Sequence, residues 1–151
     1  MIDEGAVAPD FTLVSDAGED ITLSSLRGSP VVLFFYPKDG TPGCARQACG
    51  IRDAWADFQR AGAEVLGVSV LDERSKARFK EKHGLPFTLL ADPDHAVAEA
   101  YGVWVEKRNY GKVYHGIERT TFVIDAEGRV THVMRRVKPG THAADVLSAL
   151  A

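Results

Sequence analysis

The sequence predicts a mixed α/β fold in which helices cover both faces of a central sheet. Short runs rich in valine, leucine and phenylalanine recur along the chain and are typical of buried strands. Segments with apolar residues at three- and four-residue steps lie between several of these runs and indicate amphipathic helices. Because strands and helices alternate before a last hairpin and a terminal helix, we expect one α/β domain over residues 1–151.

The composition is that of an ordinary globular protein, with 45% hydrophobic and 26% charged residues and a net charge of −3. This balance gives no reason to expect a nucleic-acid partner, which usually needs a clustered basic surface. The acidic N-terminus does not resemble a signal peptide, and no apolar stretch approaches the roughly 18 residues of a membrane span. With two cysteines and no export signal, we expect a cytoplasmic protein that uses them in catalysis or a transient bridge.

The first elements are a hairpin and a buried strand. Apolar, alternating residues at 11–15 and 20–23 flank a turn at 16–19, which predicts an N-terminal β-hairpin. After a short turn at 24–28, the continuous apolar run Val31–Tyr36 is too short for a core helix. We therefore expect it to be a buried strand of the main sheet.

A loop and a helix follow this strand. The segment Pro37–Gly43 contains two prolines and two glycines and cannot continue a regular element. Beyond it, apolar residues at helical spacing predict a helix over Cys44–Ala61, with a buried stripe of Ala48, Ile51, Trp55 and Phe58. Cys44 is therefore expected where the loop becomes the first turn of this helix.

The second half of the chain predicts further strands and helices in alternation. Asp72 and Gly84 are suitable caps for a helix over 72–83, in which Phe79 faces inward and the charged residues face outward. Residues 126–128 are suitable as the turn of a hairpin. The predicted strands are 63–70, 87–90, 117–125 and 129–134, and the predicted helices are 72–83, a short one from Asp92 to Tyr101, and 142–150.

Cys44 is the first candidate for chemistry. The first turn of a helix has unpaired backbone N–H groups and the positive end of the helix dipole, and both favour a thiolate. A thiolate is the nucleophilic form of cysteine. The alternative is a buried, inert cysteine, and position alone leaves both open.

Thr41 and Arg119 are the candidate partners of this sulfur. The Thr41 hydroxyl could bond next to the thiol, or it could cap the helix. Arg119 lies in the strand-like segment 117–125, and an arginine is rarely buried without an anion such as a thiolate. An exposed Arg119, or one paired with Glu118 or Glu127, remains the alternative.

The segment Pro37-x-x-x-Thr41-x-x-Cys44 resembles the signature of the peroxiredoxins, thiol peroxidases on a thioredoxin-like fold. The longer match is to the bacterioferritin-comigratory protein, or peroxiredoxin Q, branch. It extends over nearly the whole chain and includes Phe35–Cys44, Ala48–Gly50, Arg52-Asp53, Tyr101–Trp104 and Gly116–Asp125. The sequence departs from this branch at Ala45, Gln47 and Lys76, where Thr, Glu and a histidine are common. These departures concern the pKa values of groups near the site and the preferred peroxide.

The resemblance implies a thioredoxin-like peroxiredoxin fold and a peroxidase that reduces hydrogen peroxide and alkyl hydroperoxides. Cys44 would attack the peroxide, Thr41 and Arg119 would contact the thiolate and the peroxide, and Pro37 would shield the sulfur. The electrons would come from thioredoxin or a similar dithiol. Such a reaction requires no metal or organic cofactor. The five histidines are dispersed, and we expect most of them at the surface.

Cys49 has the spacing expected of a resolving cysteine in this branch. Residues five apart on an ideal helix are separated by about 8–9 Å. A disulfide needs Cα atoms within about 7 Å, so the first turns must unwind before Cys44 and Cys49 can bond. Since one chain holds both cysteines, we expect a monomer.

Three other functions compete with this interpretation. A redox sensor or holdase could use Cys44 as a switch without turnover. A general disulfide oxidoreductase is disfavoured by the Cys-x4-Cys spacing, since such enzymes favour Cys-x-x-Cys. A zinc module is weak, because two thiols with no nearby histidine fall short of four ligands.

Overall fold

The structure is a computed structural model that describes residues 2–151. Its strands are β1 (Thr12–Ser15), β2 (Asp20–Thr22), β3 (Val31–Phe35), β4 (Glu64–Ser69), β5 (Thr88–Ala91), β6 (Trp104–Asn109), β7 (Lys112–Ile117), β8 (Thr120–Ile124) and β9 (Val130–Met134). Its helices are α1 (Pro42–Asp53), α2 (Trp55–Arg60), α3 (Glu73–His83), α4 (Ala96–Ala100) and α5 (His142–Leu150), with a 3-10 turn at Leu23–Leu26. Seven strands form one sheet in the order β2-β1-β5-β4-β3-β8-β9, and β6 pairs with β7 as a separate hairpin.

The middle of the sheet explains why its strands are continuous apolar runs. Strands β3, β4 and β5 are parallel, and both faces of β3 are buried. Because side chains alternate along a strand, Val32 and Phe34 pack with α1, α3 and α5, whereas Leu33 and Phe35 pack with α4. The predicted α/β class with helices on both faces is confirmed.

The N-terminal hairpin is confirmed, and it belongs to the main sheet, because β1 pairs antiparallel with β5. The predicted helix over 44–61 is wrong in one respect: it is two helices that meet at Ala54. There the backbone N–H of Ala54 contacts the carbonyls of both Gly50 and Ile51, which tightens the last turn of α1. The break leaves Trp55 stacked on Phe58 and packed against Phe87.

The predicted hairpin of 117–125 and 129–134 is confirmed, because β8 pairs antiparallel with β9. Its first strand begins later than predicted, since β7 ends at Ile117 and β8 begins at Thr120. The β6–β7 hairpin was not predicted. Its turn residues Tyr110 and Gly111 both have positive φ, 51° and 76°, as a two-residue primed turn requires. Its outward residues are mostly exposed, so the hydrophobic pattern did not indicate it.

The remaining helices follow their predicted caps closely. The Asp72 carboxylate accepts from the Ser75 N–H at 2.9 Å, and Gly84 ends α3 with a φ of 59°. Helix α4 starts at Ala96, later than predicted, because the buried Asp92 carboxylate caps it through the Ala98 N–H at 2.9 Å. Within residues 2–151, the structure places no helix long and apolar enough to cross a bilayer.

Candidate active site

Cys44 lies in the first turn of α1, as expected. The loop after β3 ends at Thr41, which occupies the N-cap position, and α1 begins at Pro42. Proline suits the first helical position, since its missing N–H would have no partner there. The Cys44 side chain is only 2% exposed and packs in the core cluster that includes Ala48 and Ile51. The thiol is therefore sealed from bulk water yet stands at the positive end of a helix.

Thr41 does not cap the helix with its side chain. Its hydroxyl donates to the carbonyl of Lys38 at 3.2 Å, and its carbonyl accepts from the Ala45 N–H at 2.9 Å. The capping alternative is therefore wrong. Pro37 is half-buried and opens the same loop directly after the buried Tyr36. Both predicted residues thus belong to the segment that leads into the first turn of α1.

Arg119 lies in the two-residue link between β7 and β8 and is half-buried. Its Nη1 donates to Oε1 of Gln47 at 2.5 Å. A Cβ placed on Gly43 would lie 3.2 Å from Nη2, so the guanidinium rests against the residue that precedes Cys44.

The alternative pairing of Arg119 with Glu118 is wrong. Glu118 instead accepts from Arg136 at 3.0 Å and from Arg135 at 3.5 Å. Arg119 therefore has a neutral amide as its hydrogen-bond partner beside the first turn of α1.

Gln47 connects Arg119 to a buried histidine. Its Nε2 donates to Nδ1 of His142 at 3.2 Å, which leaves the histidine proton on Nε2, 2.7 Å from Oγ1 of Thr121. Burial, with a contribution from the charge of Arg119, lowers the pKa of His142 to about 4, so the ring is neutral near neutral pH. We call these four residues (Arg119, Gln47, His142 and Thr121) the Gln47–His142 network. His142 is fully buried and is therefore not one of the surface histidines that the sequence predicts.

Lys76 is a second residue whose position the sequence did not indicate. Its ammonium is fully buried and donates to Oδ2 of Asp39 at 3.1 Å and to Oγ of Ser69 at 2.8 Å. Asp39 also accepts from Ser75 Oγ at 2.8 Å and from the hydroxyl of Tyr36. We call these five residues the Asp39–Lys76 network.

This network fixes the loop before Cys44 against α3. Burial lowers the pKa of Lys76, while the charge of Asp39 opposes that shift; burial also raises the pKa of Tyr36. The one signal in the sequence was spacing: Lys76 precedes the inward-facing Phe79 by three residues, so it shares the buried face of α3. Its partner Asp39, far away in the chain, could not be predicted from that spacing.

Cys49 lies on α1 together with Cys44, and both are free thiols on one continuous helix. Unlike Cys44, it is half-buried and faces α3, where its Sγ is 3.7 Å from Nδ1 of His83. The structure thus brings Cys44, Thr41 and Arg119 to the start of α1, while Cys49 points to a different neighbour.

Lys107 is a further cation near this site. Its alkyl chain crosses the β6–β7 hairpin over Gly116, where a Cβ would lie 3.5 Å away. Burial and the nearby Arg119 lower the pKa of Lys107, while the charges of Cys44 and Glu118 raise it. The site therefore has two cations in its surroundings, although the sequence indicated only one.

Comparison with known proteins now identifies the family. The model of the AhpC/TSA family matches residues 5–133. The chain is a peroxiredoxin of this family. It is 50% identical over 149 residues to the putative peroxiredoxin bcp of Coxiella burnetii, covering 99% of both proteins. It is 48% identical to peroxiredoxin Bcp of Bacillus subtilis, covering 99% of this chain and 95% of the relative.

Solved structures confirm the thioredoxin-like peroxiredoxin fold and the bacterioferritin-comigratory, or peroxiredoxin Q, branch. The bacterioferritin comigratory protein of Xanthomonas campestris has a TM-score of 0.90 and 39% identity, covering 99% of this chain and 95% of that one. Peroxiredoxin Q of Xylella fastidiosa has a TM-score of 0.94 and 33% identity, covering 99% and 96%. The resemblance that rested on the motif around Cys44 is therefore confirmed.

Proposed function

We propose that this peroxiredoxin reduces hydrogen peroxide and alkyl hydroperoxides with Cys44 as the attacking nucleophile. The observation that carries the proposal is the position of Cys44: a buried thiol in the first turn of α1, with the Arg119 guanidinium resting against the preceding glycine. A protein of the same branch supports the substrate class, since alkyl peroxide reduction activity is described for the Xanthomonas campestris relative.

The proposed chemistry is a two-electron displacement. The Cys44 thiolate attacks one peroxide oxygen, the S–O bond forms as the O–O bond breaks, and the cysteine becomes a sulfenic acid. The departing oxygen leaves as hydroxide or alkoxide and takes a proton from solvent. Arg119, the Thr41 hydroxyl and the backbone N–H of Cys44 would donate to the oxygens as charge develops, a preorganised electrostatic effect. Pro37 would keep water and stray reductants from the sulfur.

Cys49 is the proposed resolving cysteine. Since both cysteines lie on the intact α1, its first turns must unwind before the two sulfurs can meet. Gly43 and Gly50 lie in α1 and weaken it locally, since an interior glycine costs up to about 1 kcal/mol relative to alanine. The resulting disulfide would be reduced by thioredoxin or a similar dithiol. We also propose that residues 1–151 form one domain acting as a monomer in the cytoplasm. Both proposed catalytic cysteines lie in one chain, and only two cysteines suit a transient bridge better than a disulfide scaffold.

Turnover of three forms tests this proposal and separates it from a redox sensor. Wild type should consume hydrogen peroxide and an alkyl hydroperoxide continuously with thioredoxin as reductant. Cys44→Ser should have no activity, because it lacks the nucleophile. Cys49→Ser should reduce one equivalent of peroxide and then lose efficient recycling through thioredoxin. If wild type reacts with one equivalent and stops while reductant remains, the sensor is the better assignment.

A further inference from the structure

The thiol of Cys49 has its own polar surroundings, separate from those of Cys44. Its Sγ lies 3.7 Å from Nδ1 of His83, the last residue of α3. Arg52, one turn further along α1, donates from Nη1 to the carbonyl of His83 at 2.6 Å and from Nε to Asp53 at 3.0 Å. The contact between Cys49 and His83 therefore joins α1 to α3. The hydrogen bond from Arg52 to the His83 carbonyl joins the same two helices beside it.

His83 is held in a defined orientation. Its ring packs edge-on against Phe79 with the ring centres 5.2 Å apart, and its carbonyl is bound by Arg52. When the ring proton is on Nε2, Nδ1 has a free lone pair directed at the Cys49 thiol. An imidazole in this position can accept a proton from sulfur.

Cys49 needs such help because its place in the helix gives it none. Backbone N–H groups in the middle of a helix are already bonded, and the effect of the helix dipole is confined to the end turns. An unassisted thiol that ionises near 8.5 is only about 3% thiolate at pH 7, and the thiolate is the reactive form. A charge on Cys49 does reach Arg52: the bond to Asp53 raises the pKa of Arg52, and the charge of Cys49 adds to this.

We propose that His83 is the catalytic base that ionises Cys49 for the resolving step; this inference rests on the proposed function of Cys49. In the intact helix, Nδ1 of His83 takes the proton from the Cys49 thiol. After α1 opens, the Cys49 thiolate attacks the sulfur of the Cys44 sulfenic acid. The S–S bond forms, the S–O bond breaks, and hydroxide leaves and is protonated to water. His83 returns its proton to solvent, so no further oxidant or reductant is consumed.

The other charged groups around His83 do not change their charge in the relevant pH range. Arg52 of α1 binds the His83 carbonyl and is paired with Asp53, while Lys80 of its own helix is bound to Asp16 at 2.8 Å and Lys82 is exposed. Arginine, lysine and aspartate keep their charge between about pH 5 and 8. A pH profile of the resolving step should therefore report on the Cys49–His83 pair.

The test is His83→Asn, which keeps a polar group near the thiol but cannot take up its proton. Each protein is mixed with peroxide, and disulfide formation is followed by intrinsic fluorescence, with Trp55 directly after α1 as reporter, and by mass mapping of the Cys44–Cys49 bridge. We expect bridge formation in the variant to be slower at pH 7, by at most about 30-fold, and to recover above about pH 9, where a thiol ionises unaided. The initial reaction of Cys44 with peroxide should be unchanged. His115→Asn, at an exposed site on β7, is the matched control and should match wild type.

Two results would overturn the role of His83. One is a variant with the wild-type rate at every pH. The other is a variant that is slower by the same factor at every pH, which indicates a structural role. A failure of the underlying proposal gives a different result, because wild type itself would then form no Cys44–Cys49 bridge.

Discussion

Two polar networks hold the neighbourhood of Cys44, and they use different chemistry. The Asp39–Lys76 network is a buried ion pair that anchors the loop before the cysteine. In the Gln47–His142 network, the neutral imidazole of His142 and the neutral amide of Gln47 position the guanidinium of Arg119 beside the first turn of α1. Buried charges are costly to desolvate and are tolerated only as complete pairs, whereas neutral groups cost less. The two networks should therefore respond differently when one member is changed.

Breaking the ion pair should have the largest effect. We expect Lys76→Met to lower the free energy of unfolding by about 3–5 kcal/mol, because Asp39 is left as an uncompensated buried charge. The double variant with Asp39→Asn should recover much of this loss, since it removes that charge. Urea denaturation of the four forms measures both values. If Lys76→Met were as stable as wild type, water would reach Asp39 and the pair would not be buried in solution.

The Gln47–His142 network should instead lose stability in acid. The unfolded chain protonates His142 below about pH 6.5, while burial keeps the folded pKa at about 4. The stability that depends on a neutral His142 is thus complete above pH 6.5 and is lost as the pH falls toward 4. Between pH 7 and pH 5 we expect wild type to lose about 2 kcal/mol more than His142→Gln. Urea denaturation at both pH values tests this, and equal losses would contradict a buried neutral imidazole.

The smallest effect should come from adding a negative charge to the Gln47–His142 network. Gln47→Glu places a carboxylate between Nη1 of Arg119 and Nδ1 of His142. An opposite charge favours the imidazolium and raises the pKa of His142, so the acid-induced loss should shrink by about 1 kcal/mol. The same denaturation series detects this, with Gln59→Glu on the exposed side of α2 as control. An unchanged acid response would show that residue 47 does not face His142 in solution.

The elements that local patterns specify could be predicted from the sequence. The apolar run of β3, the helical stripe of α1 and the cap of α3 are local patterns, and each predicted its element. Cys44 was placed at the start of α1 because proline, glycine and spacing fix that boundary locally. Arg119 was found through family resemblance, but its contact with Gln47 was not.

What could not be predicted depends on distant partners or on exposure. Spacing predicts that Lys76 lies on the buried face of α3. It does not predict that Asp39 pairs with the ammonium there. His142 looked like any other dispersed histidine, because its burial is decided by how α5 packs on the sheet. The β6–β7 hairpin was not predicted because most of its side chains face solvent and give no alternating pattern. Its turn also places Tyr110 at a φ of 51°, a conformation that is not typical of tyrosine.

The sealed position of Cys44 has a consequence for how the reduced protein meets other electrophiles. The thiol of a residue that is only 2% exposed can be approached by a small oxidant such as a hydroperoxide, but not by a bulky disulfide or maleimide. The half-buried Cys49 has no such shelter. Bulky alkylating agents should therefore label Cys49 before Cys44. Selectivity between the two thiols thus becomes a matter of molecular size.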